Sequence, residues 1–195
     1  MKQKISVLGC GRWGSFIAWY LATKKGKEVF SWGPEGDYSY EVLKNTGKNE
    51  YVTLDKSITL TCDLAAAVAR AEIVIISISS QGLRGFIRRI KEAADVSDKI
   101  FVLCMKGIEA GTGERLSQIL IEAGIAKERI AVWVGPGHIQ DFTAGIPNCM
   151  VVDGYDTALK KMLADDFKSE LIRFYYGNDI IGTEIGAAAK NVMGI

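Results

Sequence analysis

Two lysines stand where an ammonium group could do chemistry. The segment Met105-Lys106-Gly107 directly follows the apolar run 100–104, and a lysine at a strand end followed by glycine is suited to holding an anion or a reacting oxygen. Lys190 lies deep in a run of Gly, Ala, Val and Met residues, where burial would lower its pKa toward the acid–base range. Each also has a simpler interpretation. Lys106 could be a solvated surface charge, and Lys190 could extend from a partly buried helix into water.

A glycine-rich turn near the start of the chain predicts a dinucleotide site. The strand-like run 4–8 leads into GCGRWG at residues 9–14, and a helix-like run follows. This is G-x-G-x-x-G in the strand–turn–helix setting that gives the pattern meaning. Gly9 permits the tight turn, Gly11 lets a pyrophosphate approach the backbone, and Gly14 lets the helix pack closely. The first-turn N–H groups and the helix dipole would then face the phosphates. The alternative is a turn that only joins a strand to a helix.

Two further segments follow strand-like runs, where ligands bind in an open parallel sheet. Ser77–Gln81 can offer hydroxyls and backbone N–H groups beside a cofactor, or can simply cap the next helix. Gly135–His138 would let the backbone come near a ring or phosphate, or would form a turn into a short helix. His138 is the one histidine of the chain. Because nothing adjacent in sequence orients it, we interpret it as a surface or helix-start residue.

The elements that must position these residues are short β-branched runs alternating with helical stretches. The runs 73–76 and 100–103 are apolar without alternation, which is typical of strands covered on both faces of a parallel sheet. This order predicts an α/β, doubly wound, mostly parallel sheet of the Rossmann type with right-handed crossovers. Between residues 33 and 56 we expect a loop with one short helix. The predicted strands are Ile5–Leu8, Glu28–Trp32, Thr59–Thr61, Glu72–Ser77, Lys99–Cys104, Ile130–Val134, Cys149–Val152 and Ile172–Tyr176. The predicted helices are Trp13–Thr23, Leu64–Arg70, Leu83–Ala94, Gly113–Ala123 and Thr157–Phe167.

The last segment departs from this alternation. The Asn-Asp pair at 178–179 can cap a helix from about Ile180 to the end of the sequence. Gly182, Gly186 and Lys190 are spaced by four residues and therefore share one face. Because a glycine inside a helix is unfavourable by about 1 kcal/mol relative to alanine, close approach of another backbone or a ligand should compensate. A mostly apolar helix without a C-cap indicates the start of a second domain.

Composition argues against several classes of function. The chain has 24 basic and 23 acidic residues and a net charge of +1, which gives no electrostatic case for nucleic acid or an acidic membrane surface. Short basic clusters such as Arg88-Arg89 are interpreted as solvated helix ends. The four cysteines are far apart and form no C-x-x-C pair, so we expect reduced buried thiols and no metal site. No signal peptide or membrane-spanning run is evident, and we expect a soluble cytoplasmic protein.

Together these segments resemble the N-terminal domain of the NAD(P)-dependent glycerol-3-phosphate dehydrogenase family over nearly the whole chain. The opening turn is similar to the family's G-x-G-x-[W/Y]-G, and MKGIE at 105–109 to its K-G-[I/L]-E. ISSQ at 78–81 is similar to its V-P-S segment, and NEYV at 49–52 to its N-x-x-[Y/F]-L. Gly135-Pro136 stands where the family has S-G-P-[S/T]-F-A-x-E. The most specific match is EIGAAAKNV at 184–192, which resembles E-[L/I]-G-G-A-[L/V]-K-N-V.

The resemblance implies reduction of dihydroxyacetone phosphate to sn-glycerol 3-phosphate, which feeds phospholipid synthesis. Lys190 would give its proton to the ketone oxygen as hydride arrives at carbon, a transfer typically worth ~10²–10⁴ in rate. Lys106 would hold the substrate and polarise the same oxygen, so the two ammonium groups must converge. The implied cofactor positions are Gly9, Gly11, Arg12, Trp13, Gly14, Ser80, Lys106, Gly135 and Ile139. The implied substrate positions are Lys106, Gly135, Gly137 and Lys190.

Several positions depart from the family pattern. Arg12 replaces a common small serine, although a cation near a pyrophosphate is chemically sensible. Gly137 lacks the hydroxyl that the family usually has there. Pro34 stands where a basic residue for a 2′-phosphate is often found. Glu35 and Asp37 could reach a ribose, but we interpret them as loop acids. The cofactor is therefore NAD or NADP, with the choice open.

Length is the largest departure, because family members continue with a helical domain after the K-N motif. We expect residues 1–177 to form the dinucleotide-binding domain and residues 178–195 to form the first helix of a missing α-helical substrate domain. Alone, the chain should bind cofactor but turn over little, and its apolar last helix should seek a partner, as in a homodimer. Two rivals remain open. One is a related dehydrogenase for another hydroxy or keto acid, and the other is a non-catalytic dinucleotide-binding module.

Overall fold

The chain is organised around one mostly parallel β-sheet. The computed structural model describes residues 2–193, without the side chains of residues 191 and 192. The strands of this part of the chain are β1 (Lys4–Leu8), β2 (Glu28–Trp32), β3 (Thr59–Thr61), β4 (Ile73–Ile76), β5 (Ile100–Leu103), β6 (Ile130–Val134), β7 (Asn148–Gly154) and β8 (Ile172–Tyr176). Their order in the sheet is β3-β2-β1-β4-β5-β6-β7-β8. Neighbouring strands are parallel except for the antiparallel pair β6 and β7. The predicted doubly wound α/β fold is confirmed.

Helices connect most of the strands and cover both faces of the sheet. They are α1 (Arg12–Thr23), α2 (Tyr38–Thr46), α3 (Leu64–Arg70), α4 (Leu83–Ala93), α5 (Leu116–Glu122), α6 (Ile139–Thr143), α7 (Thr157–Phe167) and α8 (Ile180–Met193). Short 3₁₀ turns occupy Ser80–Gly82 and Lys127–Arg129. The short helix expected between residues 33 and 56 is α2. The terminal helix is confirmed up to Met193, and the last two residues of that prediction lie outside the described part.

Two apolar cores lie on opposite faces of the sheet. Along β4, Ile73 and Ile75 belong to one core, while Val74 and Ile76 belong to the other. All four are completely buried, which explains why this run shows no polar alternation. The helices α1 and α7 pack on the first face and α3, α4 and α5 on the second. The sheet is therefore covered on both sides, as its sequence indicates.

The start of α5 was predicted three residues too early. The predicted helix begins at Gly113, but α5 begins at Leu116. Gly113 has a φ of +75°, which is incompatible with a right-handed helix. Ile108 and Arg115 form an isolated antiparallel bridge that closes the loop before the helix. The backbone is thus committed to a turn where composition alone favours a helix.

Two elements around β7 also differ from the prediction. β7 spans Asn148–Gly154 and is longer than the predicted 149–152, because β6 and β8 pair with it on its two sides. α6 covers Ile139–Thr143 and was not among the predicted helices. It lies in the connection between β6 and β7, where the chain reverses direction instead of crossing over.

The reversal at β7 determines where the terminal helix runs. Val151 of β7 lies opposite Val134 of β6, and Gly154 lies opposite Ala131. β8 is parallel to β7, so both strands run away from the edge where β1, β4, β5 and β6 end. α8 starts beyond β8 and packs on β6 and β7. At about 1.5 Å per residue it carries Lys190 roughly 15 Å back toward the first edge.

Within the described residues, no helix has the length and apolar character needed to span a bilayer. Across the same residues, no group of three or more His, Cys, Asp and Glu side chains is arranged to hold a metal ion. All four cysteines are free thiols, and Cys10 is buried. Burial raises the pKa of Cys10 to about 11, with a further contribution from the charge of Asp37.

Candidate active site

The glycine-rich turn brings β1, α1 and the end of β4 into close contact. Gly9 has a φ of +109°, and a Cβ there would lie 2.2 Å from the carbonyl oxygen of Ser77. A Cβ at Gly14 would lie 1.6 Å from the carbonyl oxygen of Gly9. Gly11 differs from both, because a Cβ there would meet no described atom within 4 Å. Gly9 and Gly14 are therefore needed for packing, whereas Gly11 leaves the backbone open to a ligand.

The first turn of α1 is prepared to receive an anion. Its N-cap is Gly11, which supplies no side-chain hydrogen bond, and its first turn contains no acidic residue. Three other helices, α2, α3 and α7, are capped by Asp37, Asp63 and Asp156. A helix N-terminus leaves N–H groups without intrahelical partners and carries positive potential. The residues of the turn thus fit a dinucleotide pyrophosphate, which binds at such termini.

A cleft of about 730 Å³ extends from this turn, a volume within the range of small-molecule sites. It is lined by Gly9, Cys10, Gly11, Trp32, Pro34, Asp37, Ser39, Ser77, Ile78, Ser79, Gly82, Gly85, Phe86 and Arg89. Of the implied segment after β4, Ser77 and Ser79 line the cleft, but Ser80 does not. Ser80 instead lies against Gly107, where a Cβ would come within 2.9 Å of its hydroxyl oxygen. The cofactor role of Ser80 therefore stays a prediction without support from the cleft.

Two charged side chains, Asp37 and Arg89, also line the cleft, although neither was predicted to lie there. One carboxylate oxygen of Asp37 accepts hydrogen bonds from the backbone N–H groups of Ser39 and Tyr40. Asp37 is thus both a helix cap and part of the cleft wall. Arg89 lies on the cleft side of α4 with its guanidinium carbon 5.8 Å from the Phe86 ring centroid. Arg89 is exposed, as expected of a solvated residue, but it lies within α4 and not at its end, on the face that borders the cleft.

Arg12 joins two segments above the first turn of α1. Its guanidinium donates a hydrogen bond of 2.8 Å to the side-chain oxygen of Gln140 and lies 4.8 Å from the ring centroid of Tyr51. The loop that carries Tyr51 is itself fixed to α1, because Asn49 donates a 2.7 Å hydrogen bond to the hydroxyl of Ser15. Arg12 is therefore held beside the turn, where its charge can act on a bound phosphate.

Replacing Arg12 with the serine common in the family should weaken dinucleotide binding without unfolding the protein. The side chain is exposed, and a hydrogen bond to a charged group contributes about 1.5–3 kcal/mol. We expect Arg12→Ser to lower the affinity about tenfold, as measured by NADH fluorescence titration. Raising the salt concentration should weaken binding more in the parent chain than in the variant, because screening acts on the charge that the variant lacks. Equal affinities at low salt would show that Arg12 does not contact the cofactor.

Lys106 and Lys190 converge on one pocket of about 360 Å³. The pocket is lined by Lys106, Val134, Gly135, Pro136, Val151, Gly182, Thr183, Gly186, Ala187 and Lys190. Among these described residues, the two lysines are the charged ones. Lys106 donates a hydrogen bond of 3.4 Å to the carbonyl oxygen of Gly135. Burial lowers the pKa of Lys106, and the positive charge of Lys190 lowers it further.

Lys106 also connects this pocket to the start of α1. It lines a narrow crevice together with Trp13, Cys104, Trp133 and Met150. Trp13 lies within the glycine-rich turn, between Gly11 and Gly14. The lysine pocket and the dinucleotide turn are therefore neighbours through Lys106 and Trp13.

Comparison with known proteins shows the family to which the chain belongs. Residues 4–160 match the family described as NAD-dependent glycerol-3-phosphate dehydrogenase N-terminus. The chain belongs to this family. The enzyme named glycerol-3-phosphate dehydrogenase [NAD(P)+] from Moorella thermoacetica is 36% identical over 199 residues, which cover 100% of this chain and 58% of its own length. The enzyme of that name from Thermoanaerobacter is 31% identical over 195 residues and is covered to 58%.

Solved structures of the glycerol-3-phosphate dehydrogenase family share the fold. The crystal structure of the enzyme from Coxiella burnetii superposes with a TM-score of 0.86 at 24% identity, over 98% of this chain and 59% of that one. This similarity confirms the Rossmann-like architecture. The chain spans a little under three fifths of the length of the family members it matches.

Two of the positions implied by the glycerol-3-phosphate dehydrogenase family turn out to be packing positions in this chain. A Cβ at Gly137 would lie 2.4 Å from the ring of Phe142, so the absence of a side chain there is required by the core. Ile139 is completely buried among apolar residues. Only its backbone could reach a ligand. His138 is exposed at the start of α6, as expected.

The glycines that α8 contributes have different surroundings. A Cβ at Gly182 would lie 2.5 Å from the carboxylate of Asp179, which caps the helix by accepting a bond from the Gly182 N–H. A Cβ at Gly186 would meet no described atom within 4 Å, although Gly186 lines the lysine pocket. The group close to Gly182 is therefore the capping side chain of the same helix and not another backbone or a ligand, so the expected close approach is found at neither glycine. At Gly186 the free space belongs to the pocket.

Proposed function

We propose that this chain forms the cofactor-binding and lysine-bearing part of an enzyme that reduces dihydroxyacetone phosphate to sn-glycerol 3-phosphate with NAD or NADP. The observation that carries the proposal is the convergence of Lys106 and Lys190 on one pocket beside the dinucleotide turn. Membership of the family supports the choice of reaction. The nicotinamide cofactor, when bound, supplies the hydride.

The lysine pocket has the charge that a phosphorylated ketone requires. Two ammonium groups with no carboxylate among the described lining residues favour an anionic ligand. Lys190 acts as the acid that protonates the ketone oxygen, and in the reverse direction its neutral amine accepts the hydroxyl proton. Lys106, oriented by the Gly135 carbonyl, stabilises the negative charge that develops on the same oxygen. A module that only senses dinucleotides would need neither group.

A substrate panel tests the proposal. The chain is mixed at high concentration with NADH or NADPH and with dihydroxyacetone phosphate, dihydroxyacetone or a 2-keto acid, and loss of the reduced cofactor is followed. We expect reaction only with the phosphorylated ketone. Preference for a 2-keto acid would favour a related hydroxy-acid dehydrogenase. Cofactor binding with no effect of glycerol 3-phosphate on its affinity would favour a non-catalytic module.

We further propose that residues 1–177 are the dinucleotide-binding domain and that the segment from 178 belongs to the substrate domain of the enzyme. In support, α8 leaves Gly186 facing free space, and the matched relatives are longer than this chain. The chain alone should therefore turn over slowly, and robust saturable reduction would refute this.

We place the enzyme in the cytoplasm, where its free thiols would stay reduced. There its product would feed glycerophospholipid synthesis.

The apolar side of α8 supports a homodimer of this chain. Ile181 and Ile185 are 54% and 43% exposed on adjacent turns of the helix, and such surfaces associate when they are contiguous. We expect light scattering to report a dimer at high concentration and Ile185→Glu to convert it to a monomer. Thr157 is exposed at the start of α7, so Thr157→Glu serves as a control for added charge. A monomeric parent chain at high concentration would contradict the dimer.

A further inference from the structure

A buried carboxylate of α8 has no part in the proposed reaction but is fully engaged with the sheet domain. Glu184 is 6% exposed. One of its oxygens accepts a hydrogen bond of 2.9 Å from the backbone N–H of Ser117 in the first turn of α5. The other accepts bonds of 2.6 Å from the Ser117 hydroxyl and 2.6 Å from the Arg115 guanidinium. A buried carboxylate is stable only with such partners, so α8 is tied to α5 at this point.

A second buried carboxylate ties the beginning of α8 to β7. Asp153 is completely buried. One of its oxygens accepts hydrogen bonds of 2.8 Å from the Thr183 hydroxyl and 3.2 Å from the Asp179 N–H. Lys160 lies 3.5 Å from the other oxygen and also donates to the carbonyl oxygen of Gly177. A Cβ at Gly177 would lie 2.1 Å from the Asp153 carboxylate, so the chain is fitted closely around this group.

These two contacts come from adjacent residues of α8, Thr183 and Glu184, and hold it in different directions. Thr183 faces β7 and lines the lysine pocket, while Glu184 faces α5. Lys190 is seven residues beyond Thr183, or about two turns along the helix. Two fixed points around the helix axis determine its rotation, and the rotation determines whether Lys190 faces the pocket.

We propose that Glu184 and Asp153 are positioning residues that set the rotation of α8 and thereby place Lys190 opposite Lys106. The inference rests on the proposed function for its purpose, but the placement itself does not depend on turnover. Neither carboxylate touches the lysine pocket, and each acts through the helix that carries the lysine. Their loss should separate the two ammonium groups while the dinucleotide cleft, built from residues 9–89, stays intact.

The reactivity of Lys106 reports the distance between the lysines. Acetylation by an active ester requires the neutral amine, so its rate follows the pKa of Lys106, which the charge of Lys190 lowers. Introduced into the parent chain, Lys190→Met should raise the pKa of Lys106 and slow its acetylation about threefold at pH 8. Mass spectrometry of the proteolytic peptide that contains Lys106 measures this rate. In the Thr183→Val/Glu184→Gln background, Lys190→Met should have almost no effect, because Lys190 has already moved away.

Control variants separate positioning from general loss of stability. Ser6→Ala removes a buried hydroxyl that donates a 2.6 Å hydrogen bond to the Ala67 carbonyl, far from α8. It should leave the Lys190→Met effect at its parent size. If the double variant does not fold, Thr183→Val alone tests the Asp153 contact and Ser117→Ala tests the Glu184 contact. NADH titration confirms the fold of each variant.

Two negative outcomes are distinguishable. If Lys190→Met still slows acetylation about threefold in the Thr183→Val/Glu184→Gln background, the positioning role is wrong and the proposed function stands. If Lys190→Met has no effect in the parent chain itself, the lysines do not interact. In that case both this inference and the acid–base function fail.

Discussion

Alanine at position 14 is expected to abolish dinucleotide binding and to destabilise the fold, whereas alanine at position 11 should weaken binding without destabilising the fold. The added Cβ at Gly14 would lie 1.6 Å from a backbone oxygen of Gly9. Overpacking of this kind costs about 3 kcal/mol or more, because backbone cannot move aside as a side chain can. At Gly11 the Cβ would meet no described atom, and φ is −67°.

The difference between the two variants identifies the residue that the cofactor needs. For Gly11→Ala, a poorer helix cap and a less flexible unfolded chain offset each other, so the unfolding free energy should change by less than about 1 kcal/mol. Its affinity for NADH should still fall tenfold or more, a change of about 1.4 kcal/mol, because the methyl group occupies the space of the pyrophosphate. Thermal unfolding and NADH titration measure the two quantities. Parent-like affinity in Gly11→Ala would mean that the phosphates bind elsewhere.

Methionine at position 190 should remove catalysis and leave cofactor binding unchanged. Whatever reduction of dihydroxyacetone phosphate the chain supports should fall by ~10²–10⁴ in Lys190→Met, the usual contribution of a positioned proton donor. Lys106→Met should instead weaken binding of glycerol 3-phosphate in the presence of NAD about tenfold, since a charged hydrogen bond is lost. Calorimetry measures the second effect even where turnover is slow.

The exposed Lys161 on α7 provides a matched control for these lysine variants. Lys161→Met removes the same charge from a different surface and should change neither turnover nor affinity.

Binding of glycerol 3-phosphate should also weaken as pH rises through the pKa of Lys106, which lies below the ordinary lysine value of 10.5. The sign follows because only the protonated amine attracts the phosphate. Unchanged turnover in Lys190→Met would exclude the acid–base role.

The elements of the fold were predictable where local pattern and tertiary environment agree. The apolar run at 73–76 has no polar face, so it had to be a strand with helices on both sides, and β4 lies at the middle of the sheet. The glycine-rich turn was likewise predictable from the sequence, because a Cβ at residue 9 or 14 would overlap a backbone oxygen and only glycine fits there. The reversal of β7 was not predicted. The connection at 135–147 is long enough for a crossover, and the pattern at 139–143 is too short to indicate a helix.

The site was predictable only in part, because its walls come from distant segments. The convergence of Lys106 and Lys190 followed from the family resemblance rather than from spacing. Arg89 was missed, since an arginine within an amphipathic helix has the same local pattern whether it faces solvent or a cleft. Glu184 and Ser117 are 67 residues apart. Their hydrogen bond has no local signal in the sequence, although a lone acid in an apolar helix is a reason to search for a buried partner.

The dinucleotide cleft is built from the first half of the chain, while the lysine pocket requires β6, β7 and α8. During synthesis, residues 9–89 therefore emerge before the last helix exists. Hydrogen exchange should accordingly show two zones of protection, with slow exchange in β1 and β4 and faster exchange in α8. A molecule in which α8 has detached from the sheet would still bind the nucleotide but would lack the proposed proton donor. Loss of the reaction and loss of the cofactor would therefore occur as separate events.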